Sequence, residues 1–296
     1  MSRQSVCFRV FHLSPRKFLG QNFLADSRVI QNLANFIFSL FLEEEKKYLH
    51  EIGPGAGALS LPLLKKEVQI LAVEKDFRAV QGLKNTLEKN YPQLFFVMEG
   101  DILKWSPQKH PLFVQSNNLI CFGNIPYYIT SDILFWFSKH KAHYKNGVFM
   151  VQDEVADRLQ AQPGTKAYGR LSIRMQLFFK IQKIFVVPAC CFTPTPQVNS
   201  AVILLTPKLF CFASQEEDHY FSNFTTLLFS ARRKMLRRAL LRKLVECDKR
   251  KNGESQNFWH LANSLNVTEE SRPDTLSPQT VLAFHQFFWN AEKNPV

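Results

Sequence analysis

Apolar residues follow two rhythms along this chain, one helical and one strand-like. Val29, Ile30, Leu33, Ala34 and Ile37 fall on one face of a helix. Residues 48–52, 69–73, 94–98 and 147–151 read as short strands, and 119–122 as an apolar run with a sharp exit, the pattern of a buried strand. Helical spacing lies between these runs: onward from Leu59, then at 78–90, 132–139 and 152–159. Strands alternating with helices predict a parallel sheet covered on both faces. The rhythm then changes. Residues 183–187 and 201–205 are β-rich and are separated by Pro188, Pro194 and Pro196, which predicts an antiparallel pair at a sheet edge. From Phe210 the chain reads as helical: Phe221, Phe224, Leu227 and Leu228 mark one helix. Ser277-Pro278 supplies the start of another, with Ser as cap and Pro at the first position. The expected fold class is α/β, a mostly parallel sheet with an antiparallel edge, followed by a small all-α domain. A boundary near Pro207 divides residues 1–207 from 208–296.

Polar residues interrupt this pattern at the strand ends. The first strand runs into Gly53-Pro54-Gly55-Ala56-Gly57, a turn whose backbone can approach a ligand closely. The spacing is G-x-G-x-G rather than G-x-G-x-x-G, which argues against a pyrophosphate-binding helix terminus. Glu74 ends the second strand about 20 residues on, the distance at which an acid meets ribose hydroxyls. Asp101 ends the third and suits an adenine amino group. The alternative for all three is a solvated strand end, but carboxyl ends of parallel strands are where ligands bind in open α/β sheets. The fourth strand ends in Asn124-Ile125-Pro126-Tyr127. Its Asn offers a side-chain carbonyl, the turn a second backbone acceptor at Pro126, and Tyr127 a face on which a base can stack. Asn-x-Pro also opens ordinary turns, so the tetrapeptide acquires meaning only beside the other strand ends.

Charge adds a partner to this picture. The formal net charge is +12, which favours a polyanion such as nucleic acid. Arg232, Arg233, Lys234, Arg237, Arg238, Arg242 and Lys243 cluster on what reads as one helix. Like charges at that spacing destabilise an isolated helix, which favours a phosphate partner over a merely solvated face. Arg3, Arg9, Arg16 and Lys17 form a basic amino-terminal arm without an acid, read as a flexible arm ahead of a targeting leader. The six cysteines, Cys7 among them, show no Cys-x-x-Cys pair, so no zinc site is expected, and their scatter fits a reducing cytoplasm. The longest apolar stretch, 33–42, is too short to span a bilayer. None of the eight His is nominated as catalytic.

The strand-end residues resemble those of adenosylmethionine-dependent methyltransferases. Further motifs narrow the likeness: Lys17-Phe18-Leu19-Gly20-Gln21-Asn22-Phe23-Leu24, Glu51-Ile52-Gly53-Pro54-Gly55, Gly100-Asp101, Lys166-Ala167-Tyr168-Gly169-Arg170-Leu171-Ser172, the Pro-rich segment 192–202 and the Arg-rich segment 229–237. Together they resemble the small-subunit rRNA adenine dimethyltransferase A family over nearly the whole chain. The resemblance implies a Rossmann-like methyltransferase sheet with S-adenosylmethionine as co-substrate and no metal. It implies cofactor contacts at Asn22, Leu24, Gly53, Glu74, Asp101 and Asn124, and Phe192 as a second stacking face. Ordinary packing is the competing reading of Phe192. The resemblance further implies N6,N6-dimethylation of two adjacent adenosines near the 3′ end of small-subunit rRNA, late in 30S assembly, by a cytoplasmic monomer. Its partner would be the small ribosomal subunit, held by Arg232, Arg233, Lys234, Arg237 and Arg238. The chain departs from the family at Asp132, Thr195, Gln197 and Asn199, which bear on loop rigidity rather than chemistry. Two other readings stand beside this one. A large-subunit rRNA dimethylase shares the Asn-x-Pro-Tyr turn but is disfavoured by the 167–172 motif and the Arg-rich segment. An assembly or transcription factor that kept the fold is disfavoured by intact Glu74, Asp101 and Asn124.

Overall fold

A computed structural model describes residues 10–16, 19–41, 47–107, 119–250 and 252–293. Arg3, Arg9, Lys17, Cys7, Phe18 and Leu42 lie outside them. The chain divides into two compact units, Met1–Ala156 with Lys180–Pro207, and Asp157–Phe179 with Lys208–Val296.

The first unit is built on a sheet of seven strands, β2 (Tyr48–Ile52), β3 (Gln69–Glu74), β4 (Phe95–Glu99), β5 (Ile120–Asn124), β6 (Asn146–Gln152), β7 (Phe179–Val187) and β9 (Ser200–Pro207). Their order is β4-β3-β2-β5-β6-β9-β7. The first five are parallel, with Ile52 opposite Val73, Glu74 opposite Glu99 and Asn124 opposite Met150. β9 runs antiparallel to β6, with Gly147 opposite Leu205, and β7 closes that edge. The predicted antiparallel edge is therefore present. A separate pair joins β1 (Phe23–Leu24) to β8 (Phe192–Thr193).

Helices α1 (Ser27–Ser39), α2 (Ser60–Leu64), α3 (Phe77–Leu83), α4 (Thr130–His140) and α5 (Asp153–Leu159) connect the strands. Asp26 caps α1 by accepting from Arg28 N and Val29 N, and Ile30, Leu33, Ala34 and Ile37 of that helix are buried. The helix expected at 78–90 is present as one run over 77–90, though it is not α-helical throughout. It widens at Lys84–Glu88, where Thr86 Oγ1 donates to Gly82 O at 2.6 Å and perturbs the helical ladder. The core packs Phe41, Ile70, Phe95, Ile120 and Phe122, each fully buried, against α1 and α2.

The second unit contains the segment α6 (Arg170–Phe178) and helices α7 (Gln215–Ser230), α8 (Leu236–Arg250), α9 (Glu254–Ser264) and α10 (Pro278–Lys293). Ser277 Oγ caps α10 by accepting from Thr280 N at 3.0 Å. Phe258 sits 4.8 Å from Phe284 and 5.0 Å from Phe288, ring centre to ring centre. The division expected at Pro207 misplaces one segment, 157–179, which packs with these helices. Three contacts hold it there. Arg174, 2 % exposed, pairs with Asp218 at 2.7 Å. Tyr168 Oη donates to Leu276 O at 2.7 Å, and Lys208 N donates to Phe178 O at 2.8 Å. All are contacts between positions distant in sequence, which local patterning cannot reveal.

Candidate active site

The carboxyl ends of β2, β3, β4 and β5 open into one cleft lined by Gly53, Glu74, Asp101 and Asn124. Its floor is the turn after β2. Gly53 N donates to Val73 O at 2.9 Å, and Gly57 N donates to Pro54 O at 2.9 Å. Gly55 has φ +57°, and the Phe23 ring lies 3.0 Å from where its Cβ would stand, so a side chain here is both strained and crowded. At Gly123 a Cβ would stand 2.5 Å from Ile52 O; that closeness draws the ends of β5 and β2 together.

Glu74 braces this floor. Its Oε2 accepts from Gly55 N at 3.0 Å and its Oε1 from Asp76 N at 2.7 Å. Burial raises its pKa, opposed by those backbone donors. Glu74 thus ties the glycine turn to β3, a role that its place at a strand end does not reveal. Glu51, two residues before Gly53, is a further site residue that the strand pattern does not mark. It lines the cleft at 2 % exposure and accepts from Ser60 Oγ at 2.5 Å. Burial pushes its pKa up to about 8, and the neighbouring Glu74 charge adds to the rise. Asp101 is the opposite case: Lys75 Nζ at 2.9 Å, together with Leu103 N at 3.0 Å, holds its pKa below the ordinary value.

Residues 19–24 form the cleft's second wall. Gln21 Nε2 donates to Asp76 Oδ2 at 3.2 Å, and Asn124 Nδ2 donates to Asn22 O at 2.8 Å. Asn22 and Leu24 both line the cleft, as does Pro126. The Pro126 carbonyl already accepts from Ile129 N and Thr130 Oγ1, both at 3.2 Å. Asn124 Oδ1 is therefore the less encumbered acceptor for an amino group.

The two proposed stacking rings differ. Tyr127 lines the cleft, with its hydroxyl 2.7 Å from Ser200 Oγ. Phe192 is 2 % exposed in the sheet core opposite Leu24 and does not line the cleft. The aromatic ring open at the cleft is Tyr128, 55 % exposed and packed against Gly20. Tyr128 stands one residue past the tetrapeptide, where the sequence pattern gives it no mark.

The basic cluster also departs from expectation. Arg232, Arg233 and Lys234 are not on the helix with the rest: α7 ends at Ser230 and α8 starts at Leu236, so the three occupy the turn between them. The first α8 amides are satisfied by that geometry, Leu236 N donating to Ser271 O at 2.7 Å and Arg237 N to Glu269 O at 3.1 Å. Arg232 is tethered to Asp274 and to Lys166 O, each at 3.4 Å. Arg233, Lys234, Arg237, Arg238 and Arg242 are exposed, whereas Lys243 pairs with Glu292 at 2.7 Å.

Among the described residues, no group of three His, Cys, Asp or Glu side chains is placed to hold a metal ion. None of their helices is long and apolar enough to cross a membrane.

A family model described as "Ribosomal RNA adenine dimethylase" matches residues 12–283. The chain is 35 % identical over 256 residues to ribosomal RNA small subunit methyltransferase A of Nitrosospira multiformis, covering 86 % of this chain and 93 % of that one. It is 36 % identical over 235 residues to a probable protein of the same name from Pyrobaculum aerophilum, covering 79 % and 91 %. Among solved structures, a dimethyladenosine transferase from Plasmodium falciparum superposes with TM-score 0.68 at 25 % identity, over 87 % of this chain and 96 % of that one. The 23S rRNA methyltransferase ErmE superposes at 0.60 with 22 % identity, over 90 % and 99 %, a likeness of fold.

Proposed function

The chain belongs to the ribosomal RNA adenine dimethylase family, and from that membership we propose that it transfers methyl groups from S-adenosylmethionine to N6 of two adjacent adenosines near the 3′ end of small-subunit rRNA. The product is N6,N6-dimethyladenosine, formed late in 30S assembly by a cytoplasmic monomer.

One observation carries the reading. The Asn124 amide lies in the same cleft as Glu74 and Asp101, with its nitrogen turned to Asn22 O. A carbonyl only accepts, so Nδ2 faces Asn22 and Oδ1 is left for a donor amine. The methyl donor fits the residues present. Glu74 and the glycine turn suit the ribose, Asp101 an adenine amino group, and Asn22 and Leu24 the wall beside them. Bound there, the sulfonium supplies an electrophilic methyl with a good leaving group.

The target N6 lone pair is delocalised into its ring and is a poor nucleophile. Accepting an N6–H bond at Asn124 Oδ1 helps localise that pair. The bond strengthens as the nitrogen becomes tetrahedral and positive, so it stabilises the transition state more than the ground state. Holding the amine in line with the methyl supplies much of the remaining rate. The N6 proton leaves after transfer, and no side-chain base is required beforehand. The target base must leave its stack to reach this cleft. Tyr127 serves as one face. Phe192 serves as the other only if it becomes uncovered, and Tyr128 is the ring already open there.

In the second unit, Arg233, Lys234, Arg237, Arg238 and Arg242 would contact rRNA phosphates and orient the enzyme without reading sequence. Arg232 is instead committed to Asp274 and Lys166.

The test uses labelled S-adenosylmethionine with unmethylated small subunits and, separately, large subunits, followed by mapping of dimethyladenosine by mass spectrometry. Label at paired adenosines of small-subunit RNA is expected. Label only in large-subunit RNA would favour the large-subunit reading; binding without label would favour an assembly factor.

A further inference from the structure

Among the described residues that line the cleft, Lys75 is the one cation, beside three acids, Glu51, Glu74 and Asp101. It follows the last residue of β3, and Asp101 lies just past the end of the neighbouring β4. The 2.9 Å contact of its Nζ with Asp101 Oδ2 therefore bridges two adjacent strand ends at the rim. Asp101 Oδ1 accepts from Leu103 N at 3.0 Å. Two donors, one on each oxygen, fix the plane of this carboxylate. An ionised carboxylate held in this way presents only acceptors, with one lone pair per oxygen remaining.

We propose that Lys75 is a positioning residue for the methyl donor: by holding the Asp101 carboxylate in register, it makes the cleft select a purine that carries an exocyclic amino group. This rests on the reading that the cleft takes S-adenosylmethionine. Lys75 itself is 59 % exposed, so the ion pair adds little to stability, and its consequence lies in the orientation of its partner. The bond to a charged acceptor is strong and directional, whereas an untethered Asp101 can rotate away. Lys75→Met keeps the apolar stem and removes only the charge.

The experiment measures binding of S-adenosylhomocysteine, and of its analogue with hydrogen in place of the adenine amino group, to wild type and Lys75→Met by titration calorimetry. The expected result is a loss of about three- to tenfold for S-adenosylhomocysteine, as for one charge-assisted hydrogen bond weakened at a partly exposed site. The analogue is expected to lose less than about twofold, since it makes no such bond. Raising salt should weaken S-adenosylhomocysteine binding to wild type and leave the variant flat, because only the wild type has an ion pair to screen. Equal losses for both ligands would show a merely structural role and overturn the inference, as would no loss for either. If wild type binds neither ligand, the methyl-donor reading falls and this inference falls with it.

Discussion

Asn124 Nδ2 donates to the main-chain carbonyl of Asn22 across 2.8 Å, joining the end of β5 to the segment that walls the cleft. One side chain thereby serves two parts of the site. Its nitrogen holds the wall, and its oxygen remains for the substrate amine. Had the amide pointed the other way, two carbonyl oxygens would face each other, so the orientation follows from the acceptor-only chemistry of Asn22 O.

Phe192 and Tyr128 should separate stability from substrate handling. Phe192→Ala removes a core ring that is 2 % exposed, and a loss of about 3–5 kcal/mol in urea denaturation is expected. Tyr128→Ala removes a ring 55 % exposed at the cleft, so its midpoint should shift little while kcat/KM for rRNA falls. A Phe192→Ala protein of normal stability but impaired turnover would restore Phe192 as the stacking partner.

Glu51 makes stability depend on pH with a defined sign. Its pKa rises on folding from the ordinary 4.5 to about 8, so between these values the folded state keeps a proton that the unfolded chain releases. Its contribution is fully present below about pH 4.5 and is lost as pH climbs toward about 8. Glu51→Gln removes the titration. The Tm difference, variant minus wild type, should therefore grow from pH 5 to pH 8. Parallel Tm curves across that range would contradict the burial argument.

The buried Arg174 is paired with Asp218. Its side chain is 2 % exposed and meets Asp218 Oδ1 at 2.7 Å. Asp218→Ala removes the carboxylate 2.7 Å from a buried guanidinium, and a destabilisation of about 3 kcal/mol is expected by chemical denaturation. A loss below about 1 kcal/mol would place this pair with ordinary surface ion pairs.

The strand-end chemistry was legible in the sequence because a parallel sheet puts ligands at carboxyl ends, and each such end shows as an apolar run stopped by a polar residue. Gly53, Glu74, Asp101 and Asn124 were found in that way, and they share one cleft. The antiparallel edge was legible from the prolines around it. Other features depend on tertiary contacts with no local pattern. Segment 157–179 joins the helical unit through Arg174 and Tyr168, whose partners lie far along the chain. Glu51 reads as an ordinary strand residue until burial beside Glu74 is seen. Phe192 carries no mark in the sequence to tell a packed ring from a stacking one. Arg232 looked equivalent to its basic neighbours until Asp274 was found beside it.

That last distinction is measurable in RNA binding. Arg237→Ala, Arg238→Ala and Arg242→Ala should each lower the slope of log K against log salt by about 0.7 to 1, one phosphate contact apiece. Arg232→Ala should leave that slope nearly unchanged and lower stability instead, because its guanidinium is held by Asp274 and Lys166 O. Equal slopes for wild type and all four variants would refute phosphate contact by this surface.

The central claim is that Asn124 Oδ1 assists the attacking amine, and Asn124→Ala tests it most directly when turnover and cofactor affinity are measured on the same preparation. The expected result is a fall in single-turnover methylation of about 10²–10³, the scale for removing one transition-state hydrogen-bond partner. S-adenosylmethionine affinity should weaken by less than about tenfold, the cost of the lost bond to Asn22 O. Near-normal methylation by Asn124→Ala would contradict the account.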